Sequence, residues 1–571
     1  MTHKLVGPAR IAAGAFDFII VGAGSAGCVL ANRLSASGKY SVLLLEAGGE
    51  DSSPWIRIPL GYGKLFDHAT LNWRYQTTPQ SFLADRKVPQ PRGKVLGGSS
   101  SINGLVYVRG QREDYDSWRD LGGEGWGWDD VLPYFRKSER QVRGADALHG
   151  ADGPIPVSDA TEPHELCDAF IGATTSLGYP ENEDFNGPSQ EGVGYYQMTA
   201  ERGRRVSAAA GYLRPARGRR NLQVIVKAHV TRVVAEAGRA VAVEWHKGGR
   251  DYSATANGEI ILSAGAINTP QIMQLSGFGP LELLKSLGIP VLADRKEIGE
   301  NLQDHFQVRN VLKSSKRFTL NDDMSNIVRM AGISLRYLLL SKGPLTVSAG
   351  YAGAFLKSLP SLPTPDIQLL CINFSTDRMG NSLHDFSGFT ISASQLRPES
   401  RGSVKATSAD PFAAPAIDPN FLAADEDMQV MVRGFKLIRQ ITGARPLSNF
   451  IVDEVSPGRS VSDDASIAEY IRATGGSLYH SCGTMRMGAD VNSVVDSRLR
   501  VRGIDRLRVV DGSIMPHVVS GNTHAAIVMI GEKGADMILE DAARGYDGAV
   551  GVQGVASALA PLGELQSSAH K

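Results

Sequence analysis

The sequence predicts an α/β fold, α+β over the chain as a whole, that combines one doubly wound domain with one domain built on an antiparallel sheet and flanking helices. Near the N-terminus an apolar strand, a glycine-rich turn and a helix follow one another. Further strands of the parallel type recur in the middle of the chain and near its end. Between them, residues 350–400 alternate in the manner of antiparallel strands. We therefore expect a doubly wound domain assembled from separated segments, with a ligand site in the crevice between the two domains.

The first element is a βαβ unit at residues 15–48 that has the features of a dinucleotide site. Its turn has the spacing G-x-G-x-x-G, formed by Gly22, Gly24 and Gly27. The first glycine permits the tight turn, the second lets the backbone approach a pyrophosphate, and the third lets the helix pack close to the strand. Glu46 ends the second strand, where its carboxylate can accept hydrogen bonds from an adenosine ribose. A glycine-rich turn without a ligand is the alternative interpretation, and the motif alone does not specify the dinucleotide.

The remaining elements are predicted from apolar periodicity and from turn residues. A polar, loop-rich stretch at residues 140–220 separates the first unit from the next strands, and no internal repeat is evident. Strands are expected at residues 222–226, 230–234, 259–263 and 507–512, and helices at residues 128–135, 269–275, 425–441 and 523–539.

These elements predict two domains and a tail. The dinucleotide-binding domain is expected to comprise residues 1–155, 220–320 and 476–545, and the substrate-binding domain residues 156–219 and 321–475. Residues 546–571 are rich in glycine, alanine and serine and are expected to form a flexible tail.

Composition excludes several classes of function. The 571 residues include 60 basic and 60 acidic side chains, and this balance gives no support for nucleic-acid binding. No apolar run is long enough to span a bilayer, and no secretion signal precedes the first strand. The cysteines are too widely spaced to form metal-type pairs, so we expect no metal site and reduced thiols in a cytoplasmic protein. They are Cys28, Cys167, Cys371 and Cys482.

Two further glycine-containing segments resemble the signatures of a known enzyme family. They are RGKVLGGSSSING at residues 92–104 and GAINTPQIMQLSGFG at residues 265–279, in which Phe278 stands where an aliphatic residue is usual. With smaller matching pieces between residues 15 and 542, they make the chain similar to the glucose–methanol–choline (GMC) oxidoreductases, in a branch that resembles bacterial choline dehydrogenases and alcohol oxidases. The resemblance implies FAD rather than NAD, and a Rossmann-like FAD-binding domain beside a substrate domain.

The same resemblance implies which residues contact the FAD. Gly98 leaves room for a flat ring system, and Asn103 and Gly104 correspond to positions that meet the isoalloxazine. Ile102 stands where some members carry a histidine that bonds covalently to the flavin, so non-covalent binding is expected here. For Trp73 and Val230, an ordinary packing role is the alternative. The expected cofactor-binding residues are Gly22, Gly24, Ser25, Ala26, Gly27, Glu46, Ala47, Trp73, Val95, Gly98, Asn103, Gly104, Val106, Val230, Asp511 and Gly512.

A histidine segment and a later loop supply the expected catalytic pair. Alcohol oxidation needs a base with a pKa near neutrality, and histidine is the natural choice. The segment YHSCGTMRMG at residues 479–488 resembles the family's catalytic segment, which makes His480 the base. The family's partner residue, an Asn or His about forty residues later, corresponds to Asn522, which can orient the substrate oxygen and stabilise developing charge. His524 is the rival for this position, and His305 is expected to be a structural hydrogen-bonding residue.

The resemblance implies an enzyme that oxidises a small-molecule alcohol, or an aldehyde hydrate, to a carbonyl compound. His480 would take the hydroxyl proton, hydride would pass to flavin N5, and oxygen or a quinone-type acceptor would reoxidise the flavin. A hydroxynitrile lyase and a light-driven fatty-acid decarboxylase share the fold and are the alternatives. The apolar residues 335–340 are compatible with peripheral contact to the inner membrane, which would suit a quinone-linked dehydrogenase. The sequence specifies neither the alcohol nor the oligomeric state.

Overall fold

A computed structural model of the protein describes residues 10–545 except Thr161 and Met379. The predicted tail at residues 546–571 lies outside the described residues. Two seven-stranded sheets form the framework of the described chain. In chain order their strands are Ile11–Val21 (β1), Val42–Glu46 (β2), Gly192–Tyr195 (β3), Leu222–Val226 (β4), His229–Glu236 (β5), Arg239–Lys247 (β6), Arg250–Leu262 (β7), Phe306–Ser314 (β8), Ala352–Leu356 (β9), Ile367–Ile372 (β10), Gly388–Gln395 (β11), Ile451–Ser456 (β12), Gly476–Ser477 (β13) and Leu507–Val509 (β14).

The helices are interspersed with these strands along the chain. The helices of nine or more residues in the described chain are Ser25–Leu34 (α1), Arg112–Asp120 (α2), Trp128–Ser138 (α3), Glu165–Ser176 (α4), Gly265–Leu275 (α5), Ile327–Leu340 (α6), Asp425–Gly443 (α7), Asp464–Thr474 (α8) and His524–Arg544 (α9). Shorter elements include the helices Pro54–Arg57, Tyr62–Leu65, Leu281–Ser286 and Leu320–Ser325 and the strands Ala200–Glu201, Arg204–Arg205, Glu300–Leu302, Gly402–Lys405 and Ala416–Asp418.

The first sheet is the doubly wound core of the molecule. Its strand order is β4-β2-β1-β7-β6-β5. The last strand, β14, pairs with the C-terminal end of β7. β1, β2, β4, β7 and β14 run parallel to one another, which confirms the predicted class of fold. α1, α3 and α9 pack together on this sheet and bury its apolar side chains in one large cluster.

Two elements differ in detail from the sequence-based predictions. The strand predicted at residues 230–234 is present as β5, but it pairs antiparallel with β6, because the chain turns back at Gly238, whose φ is +80°. The helix expected from residue 269 begins at Gly265 instead, since Asp511 binds both the Gly265 N–H and the Thr269 hydroxyl and so stabilises an additional first turn.

The second sheet is antiparallel throughout, with the order β12-β8-β11-β10-β9-β3 and β13 paired to β8. One face packs on α7 through an apolar cluster that includes Phe389, Ile391 and Phe435. Because side chains alternate along a strand, Gln368 and Leu370 of β10 project from the opposite face. That face borders the site described below, so the sheet acts as its wall.

Residues 208–216 pack with the first sheet although the sequence assigns them to the substrate domain. Ala209–Leu213 forms a π-helical turn whose Tyr212 and Leu213 are buried in the cluster around α1. None of the helices in the described part of the chain is long and apolar enough to cross a membrane.

Candidate active site

A cleft opens where the carboxyl ends of β1, β2 and β7 meet the first turns of α1 and α5. Doubly wound sheets bind their ligands at this kind of position. The cleft has a volume of about 180 Å³. The predicted residues that line it are Gly22, Gly24, Ser25, Ala26, Glu46, Ala47, Trp73, Gly98, Val230, Asp511 and Gly512.

The two glycine-rich segments meet at the floor of this cleft. The Gly97 N–H donates a hydrogen bond of 2.8 Å to the carbonyl oxygen of Ala23. Gly98 has a φ of +53°, and a Cβ there would lie 2.8 Å from the Cα of Gly24. Backbone therefore lies against backbone with no side chain between, which leaves an open cradle above the turn.

The start of α1 is free to bind an anion. Gly24 precedes the helix, no side chain caps it, and its first turn contains no acidic residue. Ser25 and Ala26 of that turn line the cleft. Gly27 packs the helix against the preceding turn, where a Cβ would collide with the carbonyl oxygen of Gly22. Free N–H groups and the positive end of the helix dipole suit a phosphate, so the geometry fits a dinucleotide.

Glu46 is fixed at the end of β2 by two backbone groups. Its Oε2 accepts a hydrogen bond of 2.9 Å from the Ala23 N–H, and its Oε1 accepts one of 2.7 Å from the Gly48 N–H. Burial raises the pKa of this carboxyl to about 7, against the effect of the two N–H donors. Each oxygen keeps acceptor capacity beyond these bonds, as contact with ribose hydroxyls requires.

Three predicted cofactor residues near the cleft also have defined protein contacts. Trp73 stacks on Tyr75 with ring centroids 5.5 Å apart, and Val230 is buried on β5. Both carboxylate oxygens of Asp511 are occupied by donors from Ser513 and from α5. Asp511 thus positions the turn, and the adjacent Gly512 brings the backbone to the cleft.

Val95, Asn103, Gly104 and Val106, also predicted to contact the cofactor, are not among the residues that line this cleft. Val95 is buried in a small apolar cluster, and Ile102 packs against that cluster. The Oδ1 of Asn103 accepts a hydrogen bond of 2.5 Å from Arg205, and the carbonyl oxygen of Gly104 accepts one of 3.0 Å from the Ala349 N–H. Val106 belongs to an apolar cluster shared with the second sheet.

His480 lies on a backbone segment that is held from both sides. Arg92 donates to the Tyr479 carbonyl oxygen at 2.9 Å and to the Ser481 hydroxyl at 2.6 Å. The His480 N–H donates to Asp304 at 2.7 Å. Tyr479 has a φ of +70°, a left-handed conformation that costs about 1–3 kcal/mol for a non-glycine residue and persists only where its surroundings enforce it. The ring of His480 is thereby held in one position.

His305 contacts the far side of the His480 ring. The two Nδ1 atoms are 2.8 Å apart, and Nε2 of His305 is 3.0 Å from the carbonyl oxygen of Leu396. Burial lowers the pKa of His305 to about 4. Burial, followed by the neighbouring His305 and Arg92, lowers the pKa of His480 well below its usual value. Both rings are therefore neutral near pH 7.

The Leu396 carbonyl determines the tautomers of both histidines. A carbonyl oxygen only accepts, so Nε2 of His305 carries the hydrogen and its Nδ1 is an acceptor. Nδ1 of His480 must then be the donor, because the two Nδ1 atoms share one hydrogen bond. Nε2 of His480 is therefore unprotonated, can accept a hydrogen bond, and points away from His305.

Asn522 is the residue that this nitrogen contacts. Its Nδ2 lies 3.2 Å from Nε2 of His480, and its Oδ1 accepts a hydrogen bond of 3.2 Å from Gln368. Gln368 thus orients the amide with its NH₂ group towards His480. Gly521, with a φ of +139°, supplies the turn that brings Asn522 here.

His524 takes a different position from Asn522. Its Nδ1 is 3.0 Å from the Ser25 hydroxyl at the start of α1, and its Nε2 has no partner within the described chain. Burial, and then Arg205, lower its pKa to about 4. Of the two rival residues, the structure therefore brings Asn522 to His480 and His524 to the glycine-rich turn.

Sequence reasoning missed two residues of this site. Gln368, whose Oε1 is buried without a partner in the described chain, is a polar residue in a strand of apolar neighbours, and that contrast was a usable signal. Arg205 is buried against Asn103 and near His524, and no local pattern marks it.

Comparisons with known proteins agree over most of the chain. Models of the GMC oxidoreductases match residues 16–307 and 398–531. The chain is 42% identical over 527 residues to an alcohol dehydrogenase [acceptor] of Pseudomonas putida, covering 92% of this chain and 96% of that protein. It is 42% identical over 526 residues to an oxygen-dependent choline dehydrogenase of Rhizobium etli, covering 92% and 95%. A formate oxidase structure from Aspergillus oryzae, solved to study modification of its FAD, superimposes with a TM-score of 0.87 at 26% identity over 93% of this chain and 99% of that one.

Proposed function

This chain belongs to the GMC oxidoreductase family, and from that premise we propose that it oxidises an alcohol to an aldehyde or ketone with a non-covalently bound FAD. The observation that carries the proposal is the unprotonated Nε2 of His480, 3.2 Å from the amide nitrogen of Asn522. A basic nitrogen beside an oriented donor suits removal of a hydroxyl proton.

The cleft supplies the contacts that an FAD requires. The N–H groups at the start of α1 would bind the pyrophosphate, and Glu46 would bind the adenosine ribose. The turns at Gly98 and Gly512 would let the backbone approach the rest of the cofactor. Ile102 has no nucleophilic atom, which supports non-covalent binding. Bound FAD supplies the acceptor for the hydride.

His480 would act as the base that removes the hydroxyl proton. Its neutral tautomer carries the hydrogen on Nδ1, so Nε2 can accept a proton without prior rearrangement. On protonation the charge would be shared with His305 through the 2.8 Å contact between the Nδ1 atoms. Burial holds the pKa of His480 below the near-neutral value expected for the base, so His480 would readily release the accepted proton between turnovers.

Asn522 would hold the substrate oxygen beside this base. Gln368 fixes its amide so that Nδ2 donates into the site. Before substrate binds, this N–H contacts Nε2 of His480; an alcohol oxygen placed between them would accept from Asn522 while its own hydrogen points to His480. The same donor would stabilise negative charge on that oxygen as the proton leaves.

The test is anaerobic mixing of the holoenzyme with a panel of alcohols, read as loss of the visible absorbance of oxidised flavin. At least one alcohol should bleach the flavin, and His480→Gln should slow this about 10²–10⁴-fold with the FAD retained. The matched control is His517→Gln, because His517 is an exposed histidine in the loop that leads to Asn522. Failure of every alcohol to bleach the flavin, or wild-type rates in His480→Gln, would overturn the proposal.

The reoxidant is proposed to be oxygen or a quinone-type acceptor. The two kinds of relative carry names that differ in this respect, one with an acceptor and one with oxygen. Reduced enzyme mixed in parallel with oxygenated buffer and with a soluble quinone separates them, because the faster reoxidation identifies the electron acceptor.

A further inference from the structure

Helix α6 exposes its most apolar face. The exposed fractions are 76% for Ile327 and Val328, 57% for Leu335, 76% for Leu338 and 72% for Leu339. An isolated exposed leucine is ordinary on a protein surface, whereas a contiguous group of large aliphatic side chains marks a site of interaction.

These five side chains form one stripe along the helix. At 100° per residue they fall within an arc of about 120°, because they occupy positions i, i+1, i+8, i+11 and i+12. Tyr337, which is buried, lies on the other side of the helix. The helix thus has the pattern of an amphipathic helix, but the face that would normally contact a core contacts solvent. We call these five residues the α6 stripe.

The charged residues of the helix itself are basic. α6 contains Arg329 and Arg336 and no acidic residue. Their ion-pair partners lie outside the helix: Asp323 is 3.8 Å from Arg329, and Glu162 is 2.7 Å from Arg336. The helix therefore has no acidic side chain that would repel an anionic surface.

Three further cations lie beside the C-terminal end of the helix. The hairpin of the short strands at residues 200–205 abuts this end, where a Cβ on Gly203 would collide with the Ser341 carbonyl. The exposed tip of that hairpin carries Arg202 and Arg204, and Lys342 follows the helix. Within the residues that the structure describes, no carboxylate forms an ion pair with any of these three cations.

From this combination we propose that α6 binds the surface of a bilayer that contains anionic phospholipids. The stripe would lie in the acyl–headgroup boundary, with the helix parallel to the membrane plane, and the three unpaired cations would contact lipid phosphates. A second copy whose α6 runs parallel to this one fits less well, because it would bring the same three cations towards their own counterparts, with no acidic residue on the helix to pair with them.

The stripe is also connected to the site. Nine residues, 341–349, separate the end of α6 from Gly350, and within them the Ala349 N–H donates a hydrogen bond of 3.0 Å to the carbonyl oxygen of Gly104. A bilayer bound at α6 would therefore be connected through this segment to Gly104, one of the predicted cofactor-binding residues. This step rests on the proposed function, because a membrane contact at α6 would favour an alcohol substrate or an electron acceptor that partitions into lipid.

Sedimentation of the holoenzyme with vesicles tests the membrane contact without any measurement of activity. Vesicles of phosphatidylglycerol and phosphatidylcholine should carry down the wild-type protein, and phosphatidylcholine alone should carry down much less. Leu335→Gln/Leu338→Gln/Leu339→Gln should reduce the bound fraction at least about tenfold, because it removes three inserted aliphatic side chains. Val491→Gln, which changes an 88% exposed side chain elsewhere, is the matched control and should bind like the wild type.

A second variant separates the charge contribution from the apolar one. Arg202→Gln/Arg204→Gln/Lys342→Gln should weaken binding to anionic vesicles about fivefold per cation, so on the order of 100-fold in total, and should flatten the dependence on salt.

Circular dichroism and retained FAD verify that each variant is folded. Equal vesicle binding by wild type and the stripe variant would overturn the proposal. The proposal would also be overturned if the wild type did not bind vesicles and instead formed a dimer that the stripe variant does not form. Failure of alcohol oxidation would leave this result unaffected, so the two proposals fail independently.

Discussion

The hydrogen bond between the two Nδ1 atoms of His305 and His480 determines which nitrogen of His480 is basic. If His305 were replaced by a residue that cannot accept, Nδ1–H of His480 would lose its partner in a buried place, and the other tautomer would become competitive. Buried polar groups left without a partner cost about 1–3 kcal/mol, which is enough to shift a tautomer equilibrium. His305 is thus a positioning residue for the reaction we propose.

His305→Leu is therefore expected to lower kcat for alcohol oxidation about 10–100-fold, with little change in KM. His305→Gln should recover most of the rate, because its amide can accept from His480 and donate to the Leu396 carbonyl. The pH profile gives a second readout. In the wild type the low pKa of His480 keeps the base unprotonated as the pH falls below 6.5. His305 contributes to lowering that pKa, so the leucine variant should lose activity at a higher pH than the wild type. Identical rates and profiles in the leucine and glutamine variants would contradict this role.

At this scale the sequence predicts candidate site residues where they belong to a motif. His480 and Asn522 are 42 positions apart, and the structure brings their side chains within 3.2 Å. The segment around each is distinctive enough to predict it as a candidate. Gln368 and Arg205 were not predicted, because their roles depend on which strand face or loop lies opposite them, and that is set by tertiary packing.

At the scale of single elements, α1 shows how a glycine controls ligand space. Gly27 lets the helix approach so closely that its first turn lies directly above the Gly22 carbonyl. A side chain there must push the helix away from β1, and with it the N–H groups that we propose bind the pyrophosphate. One methyl group thus affects both core packing and the cofactor site.

Gly27→Ala is expected to destabilise the protein by about 1–3 kcal/mol or more and to weaken FAD binding. The control is Gly63→Ala, since a Cβ at Gly63 would meet no atom within 4 Å and the residue sits outside the cleft. Thermal unfolding and reconstitution of the apoprotein with FAD, followed by flavin fluorescence, measure both effects. A Gly27→Ala protein with the melting temperature and FAD affinity of the control would show that the close approach is unimportant.

Periodicity predicts elements well where a helix or strand faces the core, as in α7 and β2. It does not specify what an apolar face contacts. The run at residues 335–340 has the pattern of a core helix, and only the structure shows that its stripe faces outward. The antiparallel direction of β5 was missed for a related reason: strand direction depends on the turn that follows, and the apolar pattern is the same in both cases.

At the scale of the whole molecule, a buried ion cluster links segments that the sequence assigns to different domains. Nε2 of His149 is 2.9 Å from Asp184, its Nδ1 is 3.1 Å from Glu139, and Arg109 pairs with Glu139 at 2.5 Å. Asp184 lies in the segment that leads to β3 of the second sheet, whereas the other three precede residue 155. Charge pairing as well as apolar packing therefore holds the proposed cofactor domain and the proposed substrate domain together.

The cluster makes the cohesion of the two parts dependent on pH. Burial alone would lower the pKa of His149, but hydrogen bonds to Asp184 and Glu139 outweigh it and raise the pKa to about 9, above the value of about 6.5 in an unfolded chain. The folded protein thus binds a proton that the unfolded chain releases between these values. The stabilisation is full below about pH 6.5 and is lost as the pH rises towards 9.

His149→Gln should therefore lower the melting temperature at about pH 7 and reduce its further fall between about pH 7 and pH 9.5. Each unit of pKa separation corresponds to about 1.4 kcal/mol, so removal of the protonated ring costs most at the lower pH. His246→Gln is the matched control, because His246 pairs with Asp251 at 2.9 Å on the surface of a single sheet. Calorimetry of the three proteins at both pH values provides the measurement. If the wild type and His149→Gln lose the same stability over this interval, another group links the two parts.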